Sequence, residues 1–147
     1  MISVRAFPWG VHPFVREHAP LAYKSTHPTE PAERAELRRI LAAVAGGGIE
    51  THMLVENGAP VGFALVRVDP DDAETLFMDC LYLEPGHGAW YRSIGMVELE
   101  KRARFLGCRR IRTASARPAP FFRLIGRPLG FREDGARGRV TYFVKEL

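Results

Sequence analysis

The chain has 147 residues, 46% of them hydrophobic and 26% charged. That size fits one globular domain over residues 1–147, with a core that needs no staple, and it excludes disordered, collagen-like and low-complexity classes. The formal charge of +4 is unevenly spread: residues 1–100 hold 8 basic and 14 acidic groups (−6), residues 101–147 hold 13 and 3 (+10), and 18 of the 21 basic residues are arginine. A basic last third on an acidic body points to an anionic partner. Cys80 and Cys108 show no metal-ligand spacing, Met1-Ile2-Ser3-Val4-Arg5 lacks the apolar centre of a leader, and no apolar run approaches the ~20 residues that span a bilayer. A reduced, cytoplasmic protein with no membrane contact is therefore expected.

Alternation of Ile2, Val4 and Ala6 with Ser3 and Arg5 predicts a first strand over residues 2–7. A loop rich in proline, histidine and aromatics follows, with an irregular helix around Val11–Glu17. Thr29 is a plausible N-cap for the next helix, with Pro31 in its first turn and Glu33 and Glu36 favouring its positive end. Leu37, Ile40, Leu41 and Val44 form one apolar stripe, and Gly46-Gly47-Gly48 ends the helix. Thr51–Glu56 and Pro60–Val68 read as strands of a hairpin turning at Asn57-Gly58, and the unbroken run Val61–Val66 marks the second as a central strand. After the turn at Asp69-Pro70-Asp71-Asp72 comes a long apolar strand, Thr75–Leu83, with Asp79 as its single internal charge.

Pro85-Gly86-His87-Gly88 breaks that strand, and Tyr91–Leu106 reads as a helix with Met96, Leu99, Ala103 and Leu106 on one stripe. A strand at Arg109–Ser115, a short helix at Ala119–Ile125, a turn at Asp134–Gly138 and a last strand at Val140–Val144 complete the pattern. Hairpin strands followed by a strand–helix–strand crossover imply an α/β domain, a mixed sheet with helices on both faces.

Several phrases in this order resemble the GNAT superfamily of N-acetyltransferases. Met53–Ala64 is similar to the family's second and third strands, Leu81-Tyr82-Leu83-Glu84-Pro85 to the end of its fourth, and Glu98–Gly107 with Cys108–Ile111 to its central helix and fifth strand. Leu129-Gly130-Phe131 matches the Leu-Gly-Phe after its fourth helix. The resemblance implies a mostly antiparallel mixed sheet of six to seven strands. It also implies acetyl-CoA as cofactor, its pantetheine arm between splayed fourth and fifth strands and its pyrophosphate on the loop opening the central helix. The residues carried over for that role are Leu81, Leu83, Gly86, His87, Gly88, Ala89, Trp90, Tyr91, Arg92 and Phe122. Arg92, Arg123 and Arg127 are candidates to meet CoA phosphates, since a helix N-terminus and a guanidinium both suit an anion.

Three residues depart from the family pattern. Trp90 and Arg92 stand where a later glycine or alanine of the phosphate loop is expected, and Phe122 stands where the family often has an acid tyrosine. A phenylalanine has no proton to donate, leaving Tyr91, Tyr142 or water as alternatives. Amide formation also needs a base for the attacking amine. Asp79 is the first candidate, because burial among Met78, Cys80 and Leu81 would raise its pKa, and Glu84 is the second.

The five histidines show no metal-ligand pattern and no metal is expected; the two cysteines read as buried filler. Phe7, Trp9, Phe14 and Tyr23 read as core aromatics, and the resemblance implies an acceptor groove lined by the region after the first strand, Trp9–His18. The leading functional expectation is acetyl transfer from acetyl-CoA to an amine-bearing acceptor. The alternative is an inactive GNAT-like binding or assembly protein, such as a phage virion component, meeting a protein partner through its basic last third. No recognition helix or RNA-binding aromatic motif is present, so specific nucleic-acid binding is not expected.

Overall fold

The computed structural model describes residues 2–8, 10–23, 30–138 and 140–147. Thr29, Trp9 and Arg139, and the side chains of Tyr23, Glu33 and Trp90, lie outside the described residues, so the N-cap, the Trp9 part of the acceptor pocket and the expectation for the Trp90 side chain are not addressed. The elements run β1 (Ile2–Phe7), α1 (Pro13–Tyr23), α2 (Glu30–Ala45), β2 (Glu50–Glu56), β3 (Ala59–Asp69) and β4 (Asp72–Leu83). Then come α3 (Gly88–Trp90), a π-helical turn (Tyr91–Gly95), α4 (Met96–Phe105) and β5 (Arg110–Ser115). The last are α5 (Pro118–Phe121), a second π-helical turn (Phe122–Gly126), α6 (Arg127–Leu129), β6 (Arg132–Arg137) and β7 (Val140–Glu146).

All seven strands form one sheet in the order β1-β2-β3-β4-β5-β7-β6. Every neighbouring pair is antiparallel except β4 and β5, so the mixed sheet expected from the pattern is present. The hairpin between β2 and β3 turns at Asn57 (φ 50°) and Gly58 (φ 83°). That pair of left-handed residues is what a two-residue turn matching strand twist requires.

Two apolar cores lie on opposite faces of the sheet. On one, α1 and α2 bury Val15, Ala19, Ile40 and Val44 against Met53, Phe63, Leu65 and Cys80. On the other, Tyr91, Met96, Leu99 and Ala103 pack on Ala64, Val66, Leu76, Met78, Ile111 and Phe143. Of the predicted helical stripe, Met96, Leu99 and Ala103 are buried, whereas Leu106 packs only at the margin. Phe14 closes the first core as expected, meeting Phe63 and Tyr82 edge-on at 6.0 and 5.9 Å between centroids. Among the described residues no helix is long and apolar enough to cross a membrane.

The last part of the sheet differs from the sequence expectation. Asp134–Gly138, expected as a turn, lies mostly within β6, and the turn falls at Gly138. The strand is an edge, exposed at nearly every position, and its register shifts around Gly135 (φ 94°), so it lacks apolar alternation. The helix after β5 is also longer than Ala119–Ile125, running through α5, the π turn and α6 from residue 118 to 129.

The two π turns share a device: a glycine four residues after an aromatic. A Cβ on Gly95 would lie 2.5 Å from the Tyr91 ring, and one on Gly126 would lie 3.2 Å from Phe122. Tyr91 is buried and cannot swing aside. Gly95→Ala is expected to cost about 1–3 kcal/mol by overpacking, read as a lowered urea midpoint at unchanged m-value.

Candidate active site

The parallel seam between β4 and β5 is short. It runs from Thr75/Arg110 to Met78/Thr113 and stops, although β4 continues to Leu83 and β5 to Ser115. The cause lies in β4. Opposite β3, Leu65 pairs with Cys80 and Val66 with Met78, so Asp79 is an extra, bulged residue. A bulge bends its strand and re-aims the side chains that follow. Leu76 and Met78 therefore share the α4 face with Leu81 and Leu83, while Cys80 turns into the α1/α2 core. At the fork the Thr113 hydroxyl donates to the Met78 carbonyl at 3.0 Å, holding together the last rung before the strands part.

Beyond that rung, β4 residues from Asp79 onward have no β5 partner. A crevice of about 70 Å³ opens there, bordered by Asp79, Cys80, Leu81, Ser115 and Phe121. A second cavity, about 400 Å³, approaches the fork from the α2 side and is lined by Glu36, Arg39, Arg67, Phe77, Arg137 and Tyr142, among others. The two share Met78, Asp79 and Ala114. Asp79 thus stands where two openings meet.

Its side chain is 5% exposed, and Arg67 Nε donates to Oδ2 at 2.7 Å. Burial pushes the Asp79 carboxyl above the usual aspartate range, against the opposing pull of Arg67. Arg67 is held in turn over the Phe77 ring, 5.2 Å from its centroid. Glu84, the second candidate, lies five residues further along the strand, roughly 16 Å at ~3.3 Å per residue. It borders neither cavity, and its backbone N–H donates to Val61 O. Neighbouring Cys80 is buried, and desolvation followed by the Asp79 charge pushes its thiol up to about 12, which suits filler rather than a nucleophile.

The loop after β4 turns at Gly86 (φ 87°) and leads into a helical rod covering residues 88–105. The first N–H groups of such a rod lack intrahelical acceptors and carry its positive dipole end. His87 immediately precedes it, with Nε2 2.7 Å from Glu56 Oε2 and Nδ1 3.2 Å from Pro85 O. Both neighbours can only accept, so the imidazolium, with two donors, satisfies them best. The Glu56 hydrogen bond raises the His87 pKa accordingly. Arg92 Nη1 donates to Leu124 O at 3.0 Å, strapping the first π turn to the second, and the same atom would lie 3.7 Å from a Cβ on Gly88. Arg92 therefore brings a guanidinium beside the rod's N-terminus.

The remaining carried-over positions divide. Gly86, His87, Gly88 and Ala89 form the loop and first turn, and the Trp90 backbone belongs to the same turn. Tyr91 is buried, its hydroxyl donating to Met78 Sδ at 3.4 Å, and desolvation raises its pKa strongly. Leu81 borders the crevice, whereas Leu83 packs toward the α4-side core. Phe122 stacks on Phe143 at 5.8 Å, and it is Phe121 that reaches the crevice. Thr113, Arg67, Arg39, Arg137 and Phe121 were not marked by the sequence. Arg67 sits in β3, whose polarity gives its face but not its partner across the sheet. Among the described residues no group of three or more His, Cys, Asp or Glu could hold a metal ion.

A mixed seven-stranded sheet that forks between β4 and β5, with a helical rod opening beside the fork, is the fold of the GNAT acetyltransferases. No protein-family model matches the sequence, and no curated protein does. Solved structures do match. The PaiA N-acetyltransferase of Thermoplasma acidophilum, in complex with coenzyme A, superposes at a TM-score of 0.72 with 17% identity, covering 99% of both chains. A GNAT-family acetyltransferase of Elizabethkingia anophelis with acetyl-CoA bound gives 0.69 at 12% identity, over 99% of this chain and 98% of that one. An acetyltransferase of Thermus thermophilus gives 0.64 at 21% identity, over 99% and 97%.

Thr113→Val removes the hydroxyl at the fork while keeping its volume. It is expected to cost about 0.5–1.5 kcal/mol through loss of the hydrogen bond to the Met78 carbonyl, measured by urea denaturation.

Proposed function

We propose that this protein transfers the acetyl group of acetyl-CoA to an amine, with Asp79 as the base. The observation that carries the reading is the fork itself. It leaves a stretch of β4 edge unpaired beside a crevice, and a buried carboxylate stands where that crevice meets a second cavity. The bound coenzyme A and acetyl-CoA of the Thermoplasma and Elizabethkingia proteins support the choice of cofactor.

The residues present fit that group. The open β4 edge beyond Met78 offers N–H and C=O groups to an extended chain bearing amides, as a sheet edge does to an added strand. The opening N–H groups of the rod and the Arg92 guanidinium supply the positive end that suits a pyrophosphate, while His87, paired with Glu56, holds the loop in place. Arg123 and Arg127, both exposed and on the segment strapped by Arg92, are placed to add further phosphate contacts. Acetyl-CoA, when bound, supplies the activated acetyl thioester.

The protein's own part is proton removal and positioning. An acceptor amine in the larger cavity loses its proton to Asp79, whose elevated pKa brings it nearer the working pH than an ordinary aspartate. Arg67 fixes the carboxylate through Oδ2. Phe122 has no acidic proton and the Tyr91 hydroxyl is engaged by Met78, which leaves Tyr142, in the wall of the larger cavity, or solvent to protonate the departing thiolate.

Titration calorimetry with acetyl-CoA tests the cofactor assignment, and absence of binding at millimolar ligand overturns it. Arg92→Ala is expected to weaken that binding about tenfold, one charge-assisted contact being worth ~1.5–3 kcal/mol before screening. Asp79→Asn should leave acetyl-CoA affinity intact while lowering kcat by about 10²–10⁴-fold. A base must be ionised to act, so kcat/KM in the native protein rises with pH through a midpoint above the ordinary aspartate value of about 3.9. The asparagine variant loses that ascending limb.

A further inference from the structure

The larger cavity has a chemical character of its own. It reaches Asp79 from the side opposite α4, so an amine held there faces both the proposed base and the crevice. Its walls carry three arginines, Arg39, Arg67 and Arg137, against two carboxylates, Glu36 and Asp79. Two of the arginines are engaged within the cavity: Arg39 Nε donates to Glu36 Oε1 at 2.7 Å, and Arg67 Nε donates to Asp79 Oδ2 at the same distance. Arg137 is exposed, and among the described residues no carboxylate pairs with it. The cavity therefore holds an excess positive charge at the end away from the fork, and that excess grows when Asp79 takes up a proton.

The sheet sets the separation. Asp79 is on β4 and Arg137 on β6, three inter-strand steps apart across β5 and β7; at ~4.8 Å per paired step that is at least roughly 14 Å between backbones, since β4 and β5 have already parted at Asp79. A long arginine side chain shortens that gap to the span of a small molecule. Between the two strands, on β7, lies the ring of Tyr142, backed by Arg112, whose guanidinium carbon is 4.3 Å from the ring centroid, and Phe77 adds a second aromatic wall on β4 two residues before Asp79. The sequence of groups is carboxylate, aromatic wall, guanidinium.

We infer that the acceptor is a small amine that also bears an anionic group, a carboxylate or a phosphate, with its amine directed at Asp79 and its anion at Arg137. This inference rests on the acetyl-transfer reading and narrows it. A guanidinium fork pairs with either kind of oxyanion in two parallel hydrogen bonds. The aromatic walls take up the apolar stretch between the two ends. An alkylamine with no anionic group leaves Arg137 without a counter-charge, and a diamine places its second ammonium against it.

The test compares matched acceptors in the intact protein: 5-aminopentanoate with pentylamine, and O-phosphoethanolamine with ethanolamine, each with saturating acetyl-CoA. The expected result is a kcat/KM at least tenfold higher for the anionic member of one pair or both; the pair that responds identifies carboxylate or phosphate. Arg137→Gln should reduce that ratio at least tenfold, mainly through KM, and Arg137→Lys should recover part of it. Equal rates within both pairs, or a ratio untouched by Arg137→Gln, overturn the inference while leaving acetyl transfer standing. Should none of the four amines be acetylated, binding of glutarate and of inorganic phosphate, titrated by NMR of the protein, decides the subsite alone. Shifts at Tyr142 and Phe77 that vanish in Arg137→Gln support it, and no saturable shift rejects it. Failure of acetyl-CoA to bind in calorimetry is a separate outcome that removes the transferase reading.

Discussion

One inserted residue governs the molecule. Asp79 is bulged out of the β3–β4 ladder at the point where the β4–β5 ladder ends and the sheet divides. The bulge does three things together: it ends the parallel ladder, it turns Cys80 into the α1/α2 core, and it leaves a carboxylate at the junction of two cavities. The Thr113–Met78 hydrogen bond fixes the point of division, so the fork is a defined corner rather than a frayed edge. Everything proposed about chemistry depends on that corner. The rod of residues 88–105 supplies an anion-friendly end beside it, and Arg92 keeps the rod and the helical segment after β5 at a set separation.

Most of the fold was legible because its signals are local. Asn57-Gly58 can only turn in one way between two apolar strands, and the run Val61–Val66 has no face to spare for water. β6 was hidden for the converse reason, since both its faces meet solvent and no periodicity is imposed on it. The bulge was hidden by uniformity. Leu76, Met78, Cys80, Tyr82 and the residues between them are nearly all apolar, so a slip of phase leaves no trace in the pattern, and only the lone charge of Asp79 marked the place. The π turns escaped likewise, because one extra helical residue shifts a stripe without erasing it. Arg67, Thr113 and Arg137 act across strands distant in sequence, and no periodicity within a strand reveals a partner on another.

The uneven charge along the chain takes a different form in three dimensions. Much of the basic last third meets the acidic body directly. Arg102 grips Glu50 with Nε and Nη2, joining α4 to β2, with Nη2 2.6 Å from Oε1. The His52 hydrogen bond, and after it this Arg102 contact, lower the Glu50 carboxyl to about 2. Arg110 lies among Asp72, Glu74 and Glu146, and Lys145 reaches Glu100. Arg132 lies 3.8 Å from Asp134 and 3.5 Å from Glu146. The positive groups that remain unpaired among the described residues include Arg117, Arg123 and Arg127 near the second π turn and Arg137 at the cavity. A polarity that suggested one broad anionic partner thus resolves into an internal lattice and two small foci.

The short β4–β5 seam also divides the sheet mechanically. On one side lie β1 to β4, joined in long antiparallel ladders; on the other lie β5, β7 and β6. Parallel pairing over so few residues is the weakest join in the sheet, and the helical segments crossing it are interrupted by π turns. The sheet is thus two antiparallel ribbons butted along one short seam, and the Thr113–Met78 rung is the last stitch of that seam.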